Sequence, residues 1–257
     1  PNVTSIGDGR VLITGGYGAG TVMIKVAQAD GKWQAKQLWR NDEVNSQMNP
    51  ALLYKDHLYF NANHNANLNA GLMCLDLDGK VLWRHPWQTS YDVNAADPVI
   101  LDGGAKVFIS SGYNHGSAML DVSGAEPKEL WTNKDMRNKH TNSVIYKGAI
   151  YGFDEKMTLI CLDTATGQAK WTKDGFGLGS LMVADGKLVI LSDKGGIVIA
   201  EASPEGFKQL AAGQALQEFA GEPVRRGEGH LQGLGIGHSR ALAIGGLGVA
   251  LLGESLD

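Results

Sequence analysis

Four tryptophans, Trp39, Trp83, Trp131 and Trp171, each close a stretch of short apolar runs, and they stand 44, 48 and 40 residues apart. A period of about 40–45 residues built from strand-like segments is that of a four-stranded propeller blade, so this spacing narrows the available folds more than composition does. The second unit runs Leu53-Tyr54-Lys55-Asp56-His57-Leu58-Tyr59, then Leu72-Met73-Cys74-Leu75-Asp76-Leu77-Asp78-Gly79-Lys80-Val81-Leu82-Trp83. The fourth runs Ile145-Tyr146-Lys147-Gly148-Ala149-Ile150-Tyr151, then Leu159-Ile160-Cys161-Leu162-Asp163-Thr164-Ala165-Thr166-Gly167-Gln168-Ala169-Lys170-Trp171. Residues 10–39 and 105–131 follow the same grammar more loosely. In the second unit, strands are expected over 49–55, 57–61, 71–77 and 80–84, with Asp-Gly and Thr-Gly steps at the hairpins. No segment sustains a 3.6-residue apolar period; the best helical candidate, 207–219, is short.

A longer period overlies the first. Gly16-Tyr17-Gly18-Ala19-Gly20-Thr21 parallels Gly112-Tyr113-Asn114-His115-Gly116-Ser117, and Leu38-Trp39-Arg40-Asn41 parallels Leu130-Trp131-Thr132-Asn133. Units one and three thus resemble each other, as do two and four. The expected fold is all-β: a β-propeller of four-stranded antiparallel blades, five of them readable within residues 1–211. The fifth covers 180–184, 187–192, 196–201 and 207–211, with Leu210 where the tryptophan would stand. The glycine-rich stretch 212–257 reads either as a degenerate sixth blade, with strands near 231–237, 241–244 and 249–252, or as an atypical tail.

A blade cannot cover both its faces and must stack on its neighbours. An outer-strand tryptophan supplies a wide apolar plate for the next blade, and its indole N–H suits a backbone carbonyl. An aspartate before the hairpin bonds the turn's N–H groups, and glycine supplies the positive φ. Trp39, Trp83, Trp131 and Trp171, with Asp76, Gly79, Asp163 and Gly167, are therefore read as the structural set that seats blade on blade.

The pattern Leu-Asp-x-x-x-Gly-x-x-x-Trp, best kept in Leu162–Trp171 and one residue shorter in Leu75–Trp83, resembles the tryptophan-docking motif of the pyrroloquinoline-quinone-like propeller repeats. The resemblance covers residues 1 to about 210 and is nearest to the secreted bacterial members. It implies rings of up to eight blades, so five or six here suggest an incomplete ring. It also implies export to the periplasm or beyond, and a chain that begins at Pro1 fits either a removed signal peptide or a piece of a longer protein. Its quinoprotein dehydrogenases carry adjacent cysteines beside the quinone and a calcium site with a catalytic Asp; no adjacent cysteines occur here.

Polar and aromatic residues gather in two sets of connections expected on one face around the channel. The loops between second and third strands fall at 15–20, 61–70, 110–116, 154–158 and 192–195, and the links between blades at 41–49, 88–97, 133–142 and 173–179. Candidate ligand-binding residues there are Tyr17, Asn49, His64, Tyr113, His115, Arg137, His140 and Asn142. His115 and His140 also make a weak metal pair, since no carboxylate stands at a fixed spacing from them. Asp154-Glu155-Lys156 reads as a solvated hairpin tip, and the two cysteines, Cys74 and Cys161, as separate buried thiols at equivalent strand positions.

The net charge of −4 argues against a nucleic-acid partner, and the longest apolar stretch, 241–253, is too short for a membrane span of about 20 residues. No Gly-x-Ser-x-Gly elbow, His-Glu-x-x-His, P-loop or Cys-x-x-Cys occurs. The expectation is a non-catalytic module without a cofactor that binds a protein, peptide or glycan on the loop face. The alternatives are a quinone- and calcium-dependent alcohol or sugar dehydrogenase, and a scaffold for outer-membrane protein assembly.

Overall fold

The computed structural model of the chain describes residues 2–62, 71–91 and 93–216. His64 and the residues from 217 onward, including the strands expected between 231 and 252, lie outside them. The described residues form five sheets, each of four consecutive antiparallel strands in sequence order. The first holds β1 (Asn2–Gly7), β2 (Arg10–Thr14), β3 (Thr21–Ala29) and β4 (Lys32–Asn41). The second holds β5 (Leu52–Tyr54), β6 (His57–Ala62), β7 (Gly71–Asp76) and β8 (Val81–Pro86). β9 (Val99–Leu101), β10 (Lys106–Ser111), β11 (Gly116–Asp121) and β12 (Lys128–Asn133) make the third. The fourth is β13 (Val144–Tyr146), β14 (Ala149–Phe153), β15 (Leu159–Asp163) and β16 (Ala169–Lys173). The fifth is β17 (Ser180–Ala184), β18 (Lys187–Leu191), β19 (Gly196–Glu201) and β20 (Gln209–Gln214).

The middle strands of the second, third and fourth sheets are buried along almost their whole length, because a neighbouring sheet covers each face. Alternation therefore sorts residues between two cores instead of between core and solvent. Leu58 and Phe60 of β6 pack toward the first sheet with Leu12 and Met23, while Tyr59 between them packs toward the third with Val107 and Ile109. Phe108 and Met119 meet Ile150 and Ile160 between sheets three and four, and Tyr151 and Phe153 meet Leu188 and Ile190 between four and five.

Three of the four repeating tryptophans reach across to the next sheet. Trp39 Nε1 donates to Leu77 O, Trp131 Nε1 to Thr164 O and Trp171 Nε1 to Ser203 O, each at 2.9 Å. Gly79, at φ +84°, lies flat on the Trp39 ring: a Cβ there would stand 2.6 Å from Cδ2. Gly167 lies on Trp131 in the same way, and Phe207 meets Trp171 edge-on at 5.8 Å in place of a glycine. Asn41 and Asn133, two residues after their tryptophans, add donations to Gly79 O at 2.8 Å and Gly167 O at 2.5 Å. Asp76 Oδ1 accepts from the N–H of Asp78 and Lys80, and Asp163 Oδ1 from those of Ala165 and Thr166. Burial opposes the Asp163 charge, but these N–H groups hold its carboxyl below the usual range.

Two readings of the sequence change. The segment taken as a helical candidate at 207–219 contributes the outer strand β20, its backbone paired along β19. In each sheet a bulge interrupts the last strand pair beside the tryptophan position, as between Cys161 and Leu162 or Ile199 and Ala200. Its extra residue shifts the register, so Ala211, facing Ile199, occupies the place of Trp171 facing Cys161, and Leu210 is the bulged residue. No helix among the described residues is long and apolar enough to cross a membrane.

Candidate functional site

Antiparallel order places the second-to-third strand loops and the inter-sheet links at one end of all five sheets. This loop face is pinned from below by buried hydroxyls and amides. In the first link Thr21 Oγ1 donates to Val44 O at 2.8 Å, and Ser46 N–H donates to Thr14 Oγ1 at 3.2 Å. In the second, Asn94 Nδ2 donates to Ala62 O and Trp87 O, while its Oδ1 accepts from Ser111 Oγ at 2.8 Å. The third is fixed by Ser110 Oγ, which donates to Met136 O and accepts from Asn138 N–H. Satisfied buried polar groups of this kind hold loops in one conformation.

On that support a polar cluster forms around Arg137. Its guanidinium donates from Nε to Asp154 Oδ1 at 2.8 Å and from Nη2 to Oδ2 at 2.7 Å. Nη1 reaches Asn114 Oδ1 at 3.1 Å and lies 3.3 Å from Glu155 Oε1. Glu155 in turn accepts the backbone N–H groups of Tyr113 and Asn114, at 2.6 and 3.0 Å. The Asp154 hydrogen bonds outweigh burial and hold Arg137 more firmly charged than a free arginine. Asp154 is 3% exposed, so within the tip expected to be solvated at 154–156 it is instead a buried ionic tie between the third and fourth sheets, while Glu155 is half-buried and Lys156 is exposed as expected. Beside it lies a cleft of about 400 Å³, lined by Lys134, Asp135, Arg137, Asp154, Lys156 and Thr158 among others.

The other candidates fall into smaller groups. Tyr113 packs against Tyr91, the rings tilted by 56° with 5.0 Å between centroids, and Lys139 Nζ stands 5.2 Å from its ring. Tyr17, its counterpart in the first sheet, shares the left-handed backbone, φ +56° against +59°, and is 74% exposed. His115 stands edge-on to Trp87 at 4.3 Å. Burial, with Lys134 nearby, lowers its pKa; burial and Lys139 do the same to His140. Among the described residues no three His, Cys, Asp or Glu side chains are grouped to hold a metal ion.

Asn49 and Asn142 meet a residue that sequence reasoning passed over. Asp97 Oδ2 accepts from Asn142 Nδ2 at 2.7 Å, and Asp97 N–H donates to Asn142 Oδ1 at 2.8 Å. The buried Asn49 amide faces the same carboxyl but makes no hydrogen bond of good geometry. Burial raises the Asp97 pKa; the Asn142 and Asn49 amides partly offset this. The three residues stand just ahead of β5, β9 and β13, so their shared position before the inner strand was the available signal. Tyr91, Trp87 and Glu155 carried no such register and were missed.

A family model described as the outer membrane protein assembly factor BamB matches residues 7–173. A search of curated proteins finds no match. Among solved structures, Sqt1 of Saccharomyces cerevisiae superposes with a TM-score of 0.62 at 10% identity, over 82% of this chain and 59% of that one. The quinohemoprotein alcohol dehydrogenase of Comamonas testosteroni gives 0.55 at 14% identity, over 80% of this chain and 42% of that one. BamB of Moraxella catarrhalis gives 0.45 at 14% identity, over 79% and 75%. The first two carry a likeness of fold alone, and this chain spans less than two thirds of either.

Proposed function

The chain belongs to the PQQ-like repeat family described as the outer membrane protein assembly factor BamB, and we propose that it serves as a non-catalytic protein-binding scaffold in outer-membrane protein assembly. The family match over 7–173 is the observation that carries this reading. The loop face supports it. A rigid polar frame, with Arg137 spent on Asp154 and Glu155, presents the aromatic pair Tyr91 and Tyr113 with Lys139 beside them, and Tyr91 is 67% exposed. Aromatic side chains on a preorganised support suit protein recognition. The reading places the protein in the periplasm with its partner at this face.

A quinone-dependent dehydrogenase is the other activity that the resemblance raises. The residues present do not fit that group. Cys74 and Cys161 lie in different sheets, each buried, and burial pushes their thiols up to about 12 and about 11. Neither can supply the adjacent cysteine pair, and no step through the quinone is derived.

The test is photo-crosslinking in cells from p-benzoylphenylalanine placed at position 113 of the full-length protein, beside a deletion strain scored for porin levels. A 113-dependent adduct with an outer-membrane assembly component, and lower porins on deletion, are expected. No adduct and unchanged porins would overturn the scaffold reading.

A further inference from the structure

The junction between the second and third sheets departs from the other three. Trp83 keeps the inner contact of its counterparts: it meets Tyr59 edge-on at 5.9 Å, where Trp131 meets Phe108 at 6.0 Å and Trp171 meets Tyr151 at 5.9 Å, both tilted. Among the described residues its ring carries no glycine of the kind that lies on Trp39 and Trp131. The turn from β11 to β12 is longer than that from β7 to β8, and Asp121 Oδ1 ties it locally, accepting from Ser123 N–H at 2.9 Å and Ser123 Oγ at 2.6 Å. Its glycine, Gly124, meets no ring; a Cβ there would find only Glu126 O at 3.9 Å.

Two ring nitrogens make no hydrogen bond. Among the described residues Trp83 Nε1 finds no acceptor, whereas the other three indoles of the set each have a carbonyl. His85 stands where Asn41 and Asn133 stand in their sheets, and its buried Nε2 lacks a hydrogen bond, with Glu129 Oε1 3.4 Å away outside bonding geometry. In place of a covering turn is a cleft of about 630 Å³, of the size that holds small ligands and peptide side chains. Trp83, Tyr54, Tyr59 and His57 wall one side; Gly103, Gly104 and the turn 122–125 wall the other. Lys55 Nζ donates to Gly103 O at 2.8 Å and fixes the rim.

We propose that this cleft binds a peptide turn of a partner protein, with a glycine laid on the Trp83 ring and a carbonyl two or three residues before it accepting the indole N–H. The chain itself shows what such a surface takes. Leu77 O with Gly79, and Thr164 O with Gly167, fill the same space over Trp39 and Trp131. An aromatic plate with an unanswered donor favours an acceptor-bearing backbone with no Cβ in the way. The cleft opens at the hairpin-turn end of the sheets, opposite the loop face, so it stands or falls independently of the partner proposed there.

The probe is a blocked heptapeptide, Leu-Asp-Thr-Ala-Thr-Gly-Gln, the sequence of residues 162–168. It is titrated into the full chain carrying 15N-labelled tryptophan, and the spectrum of a Trp83→Phe variant identifies the Trp83 indole signal. A saturable shift of that signal is expected, with those of Trp39 and Trp131 unmoved. The Gly-to-Ala peptide should bind about tenfold more weakly, and Trp83→Phe, which keeps the plate but not the donor, about fivefold. A Trp83 signal unmoved at millimolar peptide, or equal binding of the Ala peptide, would overturn the proposal. So would a shift produced by cellohexaose and not by the peptide, which would make the cleft a sugar site.

Discussion

Arg137 and Asp154 form a two-point ion pair, 2.8 and 2.7 Å, in which both side chains are almost wholly removed from water. One comes from the link after the third sheet and the other from the second-to-third strand loop of the fourth, so the pair fixes the loop face across a sheet boundary. Removing one partner strands the other charge in a poorly solvated place. Arg137→Ala is expected to cost about 3 kcal/mol in equilibrium urea unfolding, and Asp154→Asn a similar amount. A loss under 1 kcal/mol for both would show that water reaches the pair freely.

The glycines of the hairpin turns separate packing from mere turning. Gly79→Ala forces a Cβ into the Trp39 ring at a left-handed φ, and about 2–3 kcal/mol of destabilisation is expected. Gly124→Ala, whose Cβ enters open space, should lie within about 0.5 kcal/mol of the parent. Thermal melts of the two variants side by side check the contrast.

Tryptophan-to-phenylalanine exchanges isolate the indole hydrogen bond. Trp39→Phe loses the donation to Leu77 O and should cost about 1 kcal/mol beyond the lost ring area. Trp83→Phe has no such bond to lose, so the difference between the two in chemical denaturation reports it directly.

Both cysteines lie fully buried beneath tyrosines, Tyr59 over Cys74 and Tyr151 over Cys161, and burial keeps their thiols protonated at neutral pH. A thiol-disulfide reagent should titrate none in the native protein and both in guanidinium. Rapid native reaction of either would contradict the packing described.

Burial lowers the pKa of His85, His115 and His140. The unfolded chain, with histidines near about 6.5, then binds more protons than the folded one, so stability rises with pH across this window. It is fully present above about 6.5 and is lost as pH falls toward the folded values. Urea midpoints should therefore drop between about pH 7.5 and 5.5, and His115→Gln should flatten part of that slope.

The repeat, the four-strand grammar and the ends of the sheets carrying the loops could be read from residue order alone. Each rests on local chemistry: alternating apolar strands, Asp and Gly at turns, and tryptophans at a fixed period. What the sequence could not disclose is relative placement. The bulge that sends Ala211, and not Leu210, to the tryptophan position depends on strand register. Arg137 looked like a ligand-binding residue and Asp154 like a solvated one, and only the stacking of sheet on sheet turned them toward each other. Trp83 sits in the same Leu-Trp-Arg step as Trp39, with His85 in place of Asn41; the difference in what covers the ring lies in the turn that the next sheet brings over it. Contacts between residues tens of positions apart are fixed by how sheets pack, and no local pattern records them.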